Sequence, residues 1–275
     1  MDTEPRYVSA NGTRLAYFEC GVGEPVLFVH GSVSDHRFWA PQMRVLSAQY
    51  RCVAVDLSHF GRSPADPARR FGFATHAQEL VESMSSLVSG PVHVVATSYG
   101  AGVAVTGAVA APSHFRSMYL HEPFVPSLVV ETADRSVLGQ ARSELAAVVA
   151  ALARDDQAGA AGLFVDWTGS AGEFARLPGE AQAMVLDNAR TLALQLDTEP
   201  PPVTAIQAAA LGMPIEISMG EKTRPFFRVQ AQALHRCLPN SRLSHLTNVG
   251  HNASLEDPSQ FSAALLAHLA RHAAP

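Results

Sequence analysis

The chain has 275 residues, 47% of them hydrophobic, which is enough to bury one full core and suggests one fold plus an insertion. A net charge of −5 without any long basic run argues against nucleic acid or an anionic membrane surface as a partner. Cys20, Cys52 and Cys237 are widely spaced with no Cys-x-x-Cys pair, so a disulfide framework is not expected and small buried apolar roles suffice for them.

In chain order, Met1 to Val8 carries Asp2, Glu4 and Arg6 with no apolar core, unlike a signal peptide, and no later apolar stretch is long enough to span a membrane. The expectation is a cytoplasmic protein. Arg6 to Ala10 and Thr13 to Cys20 read as two strands joined at Asn11-Gly12, a strong hairpin signal. A continuous apolar strand, Pro25 to His30, runs into His30-Gly31-Ser32. A helix over Arg37 to Ala48, a strand over Arg51 to Leu57, a loop from Ser58 to Pro64 and a helix over Ala74 to Val88 follow. Pro91 to Thr97 is a buried strand that stops at Ser98, and Tyr99 to Ala111 is a tightly packing helix rich in Ala and Gly. A serine at such a strand-to-helix corner is strained and needs small residues two positions away on each side, which Ala96 and Gly100 supply.

Phe115 to His121 is the next strand, ending in Glu122-Pro123, after which the rhythm changes. Residues 124–203 contain no convincing strand, only helical patterns over Ser143 to Arg154, Ala158 to Trp167 and Glu180 to Leu196, closed by Pro200-Pro201-Pro202. Alternation then resumes with strand Pro214 to Met219, helix Pro225 to Leu238, strand Arg242 to Leu246 and helix Pro258 to His272. The expected class is therefore α/β, with a mostly parallel sheet covered on both faces. Its core comprises residues 1–123 and 204–275, with a helical cap at 124–203.

Four stretches, in this order and spacing, resemble the α/β-hydrolase fold with a helical cap, as in capped serine esterases and carbon-carbon hydrolases. They are His30-Gly31, Asp56 to Ser63, the elbow at Ser98, and Gly250-His251. The second resembles the family's Asp-x-x-Gly-x-Gly-x-Ser loop, with His59 in place of its first Gly. The resemblance implies that Ser98 is the nucleophile and His251 its base, because a serine hydroxyl is a poor nucleophile until a base takes its proton. It also implies that the backbone N–H groups of Ser32 and Tyr99 meet the oxyanion. His30 is expected to hold its loop, and His36, His76, His93, His114, His235, His245, His268 and His272 are read as structural or solvated.

The sequence departs from the family at the acid, since Thr223 stands about where an Asp is usual. Two carboxylates can substitute, Glu122 after the strand that follows the elbow and Glu221 just after Gly220; a dyad or water-assisted site is the remaining option. Glu122 is preferred, because some relatives, including certain haloalkane dehalogenases, carry their acid in that position. A serine at 98 weighs against the Asp-nucleophile chemistry of dehalogenases and epoxide hydrolases. Gly100-Ala101-Gly102 begins a dinucleotide fingerprint that Val105 breaks, and no metal-ligand spacing appears. No cofactor and no metal are expected. Two functions remain: a cofactor-free serine hydrolase acting on an apolar, small-molecule ester or lactone, or a carbon-carbon bond, and a non-hydrolytic relative that binds a ligand under the cap. A homodimer stays open.

Overall fold

The computed structural model describes residues 4–273. Residues 1–3 and 274–275 of the expected core lie outside the described range. The hairpin forms as its turn chemistry demands: β1 (Arg6–Ala10) pairs antiparallel with β2 (Thr13–Cys20), and both Asn11 and Gly12 adopt positive φ. Then follow β3 (Glu24–Val29), α1 (Ala40–Leu46), β4 (Tyr50–Val55), α2 (Phe73–Leu87), β5 (Val92–Thr97), α3 (Ser98–Ala110) and β6 (Phe115–His121).

The eight-stranded sheet has the order β1-β2-β4-β3-β5-β6, continued by β7 (Ile215–Gly220) and β8 (Ser241–Leu246), and every pairing from β4 to β8 is parallel. The chain leaves β3 for β4 on one side and returns to β5 on the other. This reversal opens a crevice at the carboxyl ends of β3 and β5, where open α/β sheets bind ligands. Two apolar clusters cover the two faces. One packs α2, α3 and α11 (Pro225–Cys237) on the sheet; the other packs α1 and α13 (Pro258–Arg271) around Trp39, Phe28 and Phe261.

Between β6 and β7 lie α4 (Thr132–Ser143), α5 (Ala146–Leu152), α6 (Gln157–Thr168), α7 (Glu173–Arg176), α8 (Gly179–Asp187), α9 (Thr191–Leu196) and α10 (Ala205–Ala209). The helix read across Ser143 to Arg154 is thus two helices that break at Glu144-Leu145, and the pattern over Glu180 to Leu196 breaks at Asn188 to Arg190. Most of these helices share an apolar seam of their own, with Val33 of the core contributing to it. Phe124, Val125, Leu128 and Val129 instead join the main core. No helix among the described residues is long and apolar enough to cross a membrane.

Candidate active site

The site is assembled from strand ends. Ser98 opens α3 directly off β5 with φ of 52°, a region L side chains rarely occupy. The corner needs a glycine two residues on, because a Cβ at position 100 would lie 2.1 Å from the His30 carbonyl oxygen. The Ser98 carbonyl accepts the Phe124 N–H at 3.1 Å, which ties the elbow to the chain leaving β6. Of the seven described non-glycine residues with positive φ, four lie here: Val33, Ser98, Glu122 and Asn248. Strain concentrated in this way marks positions that the surrounding packing holds for a purpose.

His30 bridges the ends of β3 and β4. Its Nε2 accepts the Leu57 N–H at 3.1 Å, so its Nδ1 carries the proton and faces the Gly31 carbonyl at 2.8 Å. Complete burial lowers its pKa and keeps it neutral, consistent with a loop-holding role. Beyond Gly31, Val33 is a β-branched residue at φ 45°, held there by burial against the helical segment. Ser32, between them, accepts a bond from Gln195 Nε2 on its hydroxyl at 2.6 Å. Tyr99 is buried, with its hydroxyl 2.8 Å from His76 Nδ1; its N–H belongs to the first turn of α3, where no carbonyl four residues back is available.

The two candidate acids separate cleanly. Glu122, fully buried, places Oε2 2.7 Å from His251 Nδ1 and accepts the Gly220 N–H on Oε1 at 2.9 Å. Burial alone would raise its pKa, but the hydrogen bond from His251, together with the charge of nearby His121 and His251, outweighs this and brings it to about 2. A carboxylate only accepts, so Nδ1 is the ring nitrogen of His251 that carries a proton toward Glu122. Glu221 is exposed and accepts the Asn248 N–H at 3.0 Å, bracing the loop before His251 instead. Thr223 is buried beside Glu122, and its hydroxyl helps to hold that carboxyl low.

Ser98 and His251 line one cavity of about 40 Å³ with Gly31, Ser32, Thr97 and Asn252, and Phe164, Val165, Met184 and Val185 close it from the helical segment. No direct hydrogen bond joins the two among the described residues. Several other apolar residues of this segment lie away from the cavity. Leu163 is exposed, Trp167 packs on Phe226, and Leu192 and Leu196 belong to the seam.

Several neighbours carry no sequence signal of their own. Phe227 stacks flat on His251 with ring centres 3.8 Å apart. His121, the last residue of β6, sits 3.8 Å from Glu122 Oε1 and 2.9 Å from Ser218 Oγ. Asn188, buried, donates to Asp35 Oδ2 and accepts the Gly61 N–H, both at 2.8 Å. The fold also brings Asp35, His36 and Asp56 within 4.8 Å of one another, a grouping that local spacing hides because Asp56 comes from a different strand. Their oxygens are engaged: Asp35 by Arg37 and Asn188, Asp56 by the N–H groups of His36 and Arg62 and by the His36 ring. The trio knits loops together.

Comparison with known proteins adds a family. A family profile described as alpha/beta hydrolase fold matches residues 24–258. An epoxide hydrolase of Caballeronia sordidicola is 33% identical over 122 residues, 43% of this chain and 37% of that relative, so the match spans well under half of its length. The dihydrolipoyllysine-residue acetyltransferase component of the acetoin cleaving system of Cupriavidus necator is 27% identical over 270 residues, 96% of this chain and 68% of its own. Among solved structures, a thermophilic esterase from Thermogutta terrifontis superimposes with a TM-score of 0.77 at 20% identity, covering 98% of this chain and all of that one.

Proposed function

Because the chain belongs to the alpha/beta hydrolase fold family, we propose that it is a serine hydrolase cleaving a small, uncharged carboxylic ester or lactone, with carbon-carbon cleavage as a subclass. The observation that carries this reading is the 2.7 Å bond between buried Glu122 and His251 Nδ1, on the wall that also bears Ser98. It supplies the acid missing at Thr223, the one feature that favoured an idle site.

In the proposed cycle, Ser98 Oγ attacks the acyl carbon as its proton passes to His251 Nε2, and the imidazolium so formed is balanced by Glu122. The N–H groups of Ser32 and Tyr99 receive the oxyanion, the second strengthened by the positive end of α3. Collapse expels the alcohol, which takes the proton from His251. Water then repeats the sequence on the acyl-enzyme and releases the acid. Ser98 and His251 would close to hydrogen-bond distance as substrate displaces solvent between them, as catalytic pairs often do. An Asp nucleophile, required for alkyl-ester chemistry on an epoxide or haloalkane, is lacking at position 98.

The cavity supports the substrate class. Its 40 Å³ would hold about three waters at the ~10–15 Å³ each requires, and apart from His251 its wall carries no ionisable side chain. The helical segment 124–203 would act as a cap over a short acyl group held by shape. The test is stoichiometric labelling of Ser98 by a fluorophosphonate, abolished in Ser98→Ala, together with higher kcat/KM for short-chain than for long-chain or dicarboxylate nitrophenyl esters. An unlabelled Ser98 overturns the hydrolase reading, and a preference for charged esters overturns the pocket.

A further inference from the structure

The loop that presents His251 has no regular structure of its own, so its peptide groups must find partners elsewhere. It runs from Thr247 to Asn252, between β8 and the short helix α12 (Ala253–Glu256). Its first half is tied to the β7 exit: Asn248 N–H donates to Glu221 Oε2, and Lys222 N–H donates to the Val249 carbonyl at 2.9 Å. Gly220 allows the approach, because a Cβ there would lie 2.4 Å from the Val249 carbonyl oxygen.

The second half depends on one side chain. Glu256, at the end of α12, folds back so that its carboxylate receives the Gly250 N–H on both oxygens, at 3.0 and 3.1 Å, and the Asn252 N–H on Oε1 at 3.1 Å. Its own N–H donates to the Asn252 carbonyl at 2.9 Å, closing the turn from the other direction. The N–H groups of the residues on either side of His251 are thereby anchored to a single anion. Charge-assisted bonds of this kind are the stronger class, and two of them on flanking amides restrain the backbone torsions of the residue between.

The imidazole itself is confined by the Phe227 ring on one face and by Glu122 at Nδ1. These contacts set its tilt and tautomer, but they cannot set the height of the His251 Cα above the sheet; the loop does that. We infer that Glu256 is a positioning residue, whose carboxylate clamps the peptides flanking His251 and so fixes the distance between His251 Nε2 and Ser98. Glu256 is not among the residues lining the cavity. Burial, together with the like charges of Glu173 and Glu122, raises its carboxyl above the ordinary value, while the bonds from the Gly250 and Asn252 amides act in the opposite direction and favour the carboxylate. The inference rests on the serine hydrolase reading only for its kinetic consequence.

The test compares Glu256→Gln and Glu256→Ala with the wild type in kcat, KM and the low-field proton resonance of the His251 Nδ1–H bonded to Glu122. The alanine variant should lose on the order of 10- to 100-fold in kcat, as expected for small misplacements of a catalytic group, with KM nearly unchanged. Its low-field resonance should broaden or disappear. The glutamine variant keeps an acceptor oxygen of the same reach and should recover much of both signals, which also guards against an alanine variant that fails to fold. Wild-type kcat and an unchanged resonance in the variants would overturn the inference, as would a loss carried by KM alone. If the wild type hydrolyses no ester, the functional reading falls, and the resonance by itself still decides whether Glu256 holds His251.

Discussion

At position 122 a single side chain reaches the His251 imidazole, and its surroundings explain how. Glu122 leaves β6 at φ 44°, a conformation that turns it from the sheet toward the Gly220 N–H and His251, while Glu221 points outward to brace Asn248. Glu122→Gln should therefore lower turnover of an activated ester on the order of 10²- to 10⁴-fold, because a neutral amide neither fixes the Nδ1–H tautomer nor balances the imidazolium. Glu221→Gln should keep most of its activity, and the reverse ranking in steady-state kinetics would move the acid to Glu221. The sequence could bring the reading as far as two candidates because Ser98, Gly100 and His251 sit in fixed relation to strand ends. Choosing between the carboxylates requires the direction each takes on leaving its strand, and a torsion angle is not encoded in local spacing. Glu256 was invisible for a related reason: its partners are backbone amides, which every sequence offers.

At the scale of elements, legibility follows burial. Val26 to Val29, Cys52 to Val55 and Val94 to Ala96 are continuous apolar runs bounded by loops, and each became a strand buried on both faces. The helix α4 is mostly exposed: only Ala141 is buried, with Val137 and Leu138 packed against the core, so its helical period rests on few apolar positions. The pattern over Glu180 to Leu196 hid a break because it contains no Gly or Pro. The chain departs from helix at Asn188, whose side chain is committed to Asp35 and Gly61, while Arg37 and Arg190 add bonds to Asp187 and to the His59 carbonyl. This cluster joins the segment between β6 and β7 to the loops after β3 and β4. Asn188→Ala should strand the half-buried Gly61 N–H, at about 1 kcal/mol, and remove one of Asp35's donors while Arg37 keeps the others. Its signature would be a lower urea midpoint and faster proteolysis within 124–203, and unchanged cleavage there would show that the cluster does not hold the segment down.

Over the whole molecule, the buried histidines set how the fold responds to acid. His76 lies fully buried under the elbow, among Phe60, Phe71 and Tyr99, and burial lowers its pKa to about 3, with His59 and His30 adding like charge in the same direction. His30 and His121 are lowered for the same first reason. An unfolded histidine titrates near 6.5, so above that pH neither state binds the proton and His76 costs nothing. Between about 6.5 and about 3 the unfolded chain takes up a proton that the native chain refuses, so native stability falls as pH falls, by up to about 1.4 kcal/mol per pH unit for each such histidine. Glu122 acts in the same direction at lower pH: its ordinary carboxylate value lies near 4.3 and its native value near 2, so the stability it contributes is lost as pH drops across that interval. Urea unfolding measured from pH 7.5 to 4.5 should show stability decreasing with a slope of more than one proton. His76→Phe keeps the aromatic packing while removing the titrating ring, and although it gives up the bond to the Tyr99 hydroxyl, it should flatten that slope by about one proton. A slope equal to that of the wild type would mean that His76 takes up its proton in the native state, and that the space beneath the elbow admits water the packing around Tyr99 excludes.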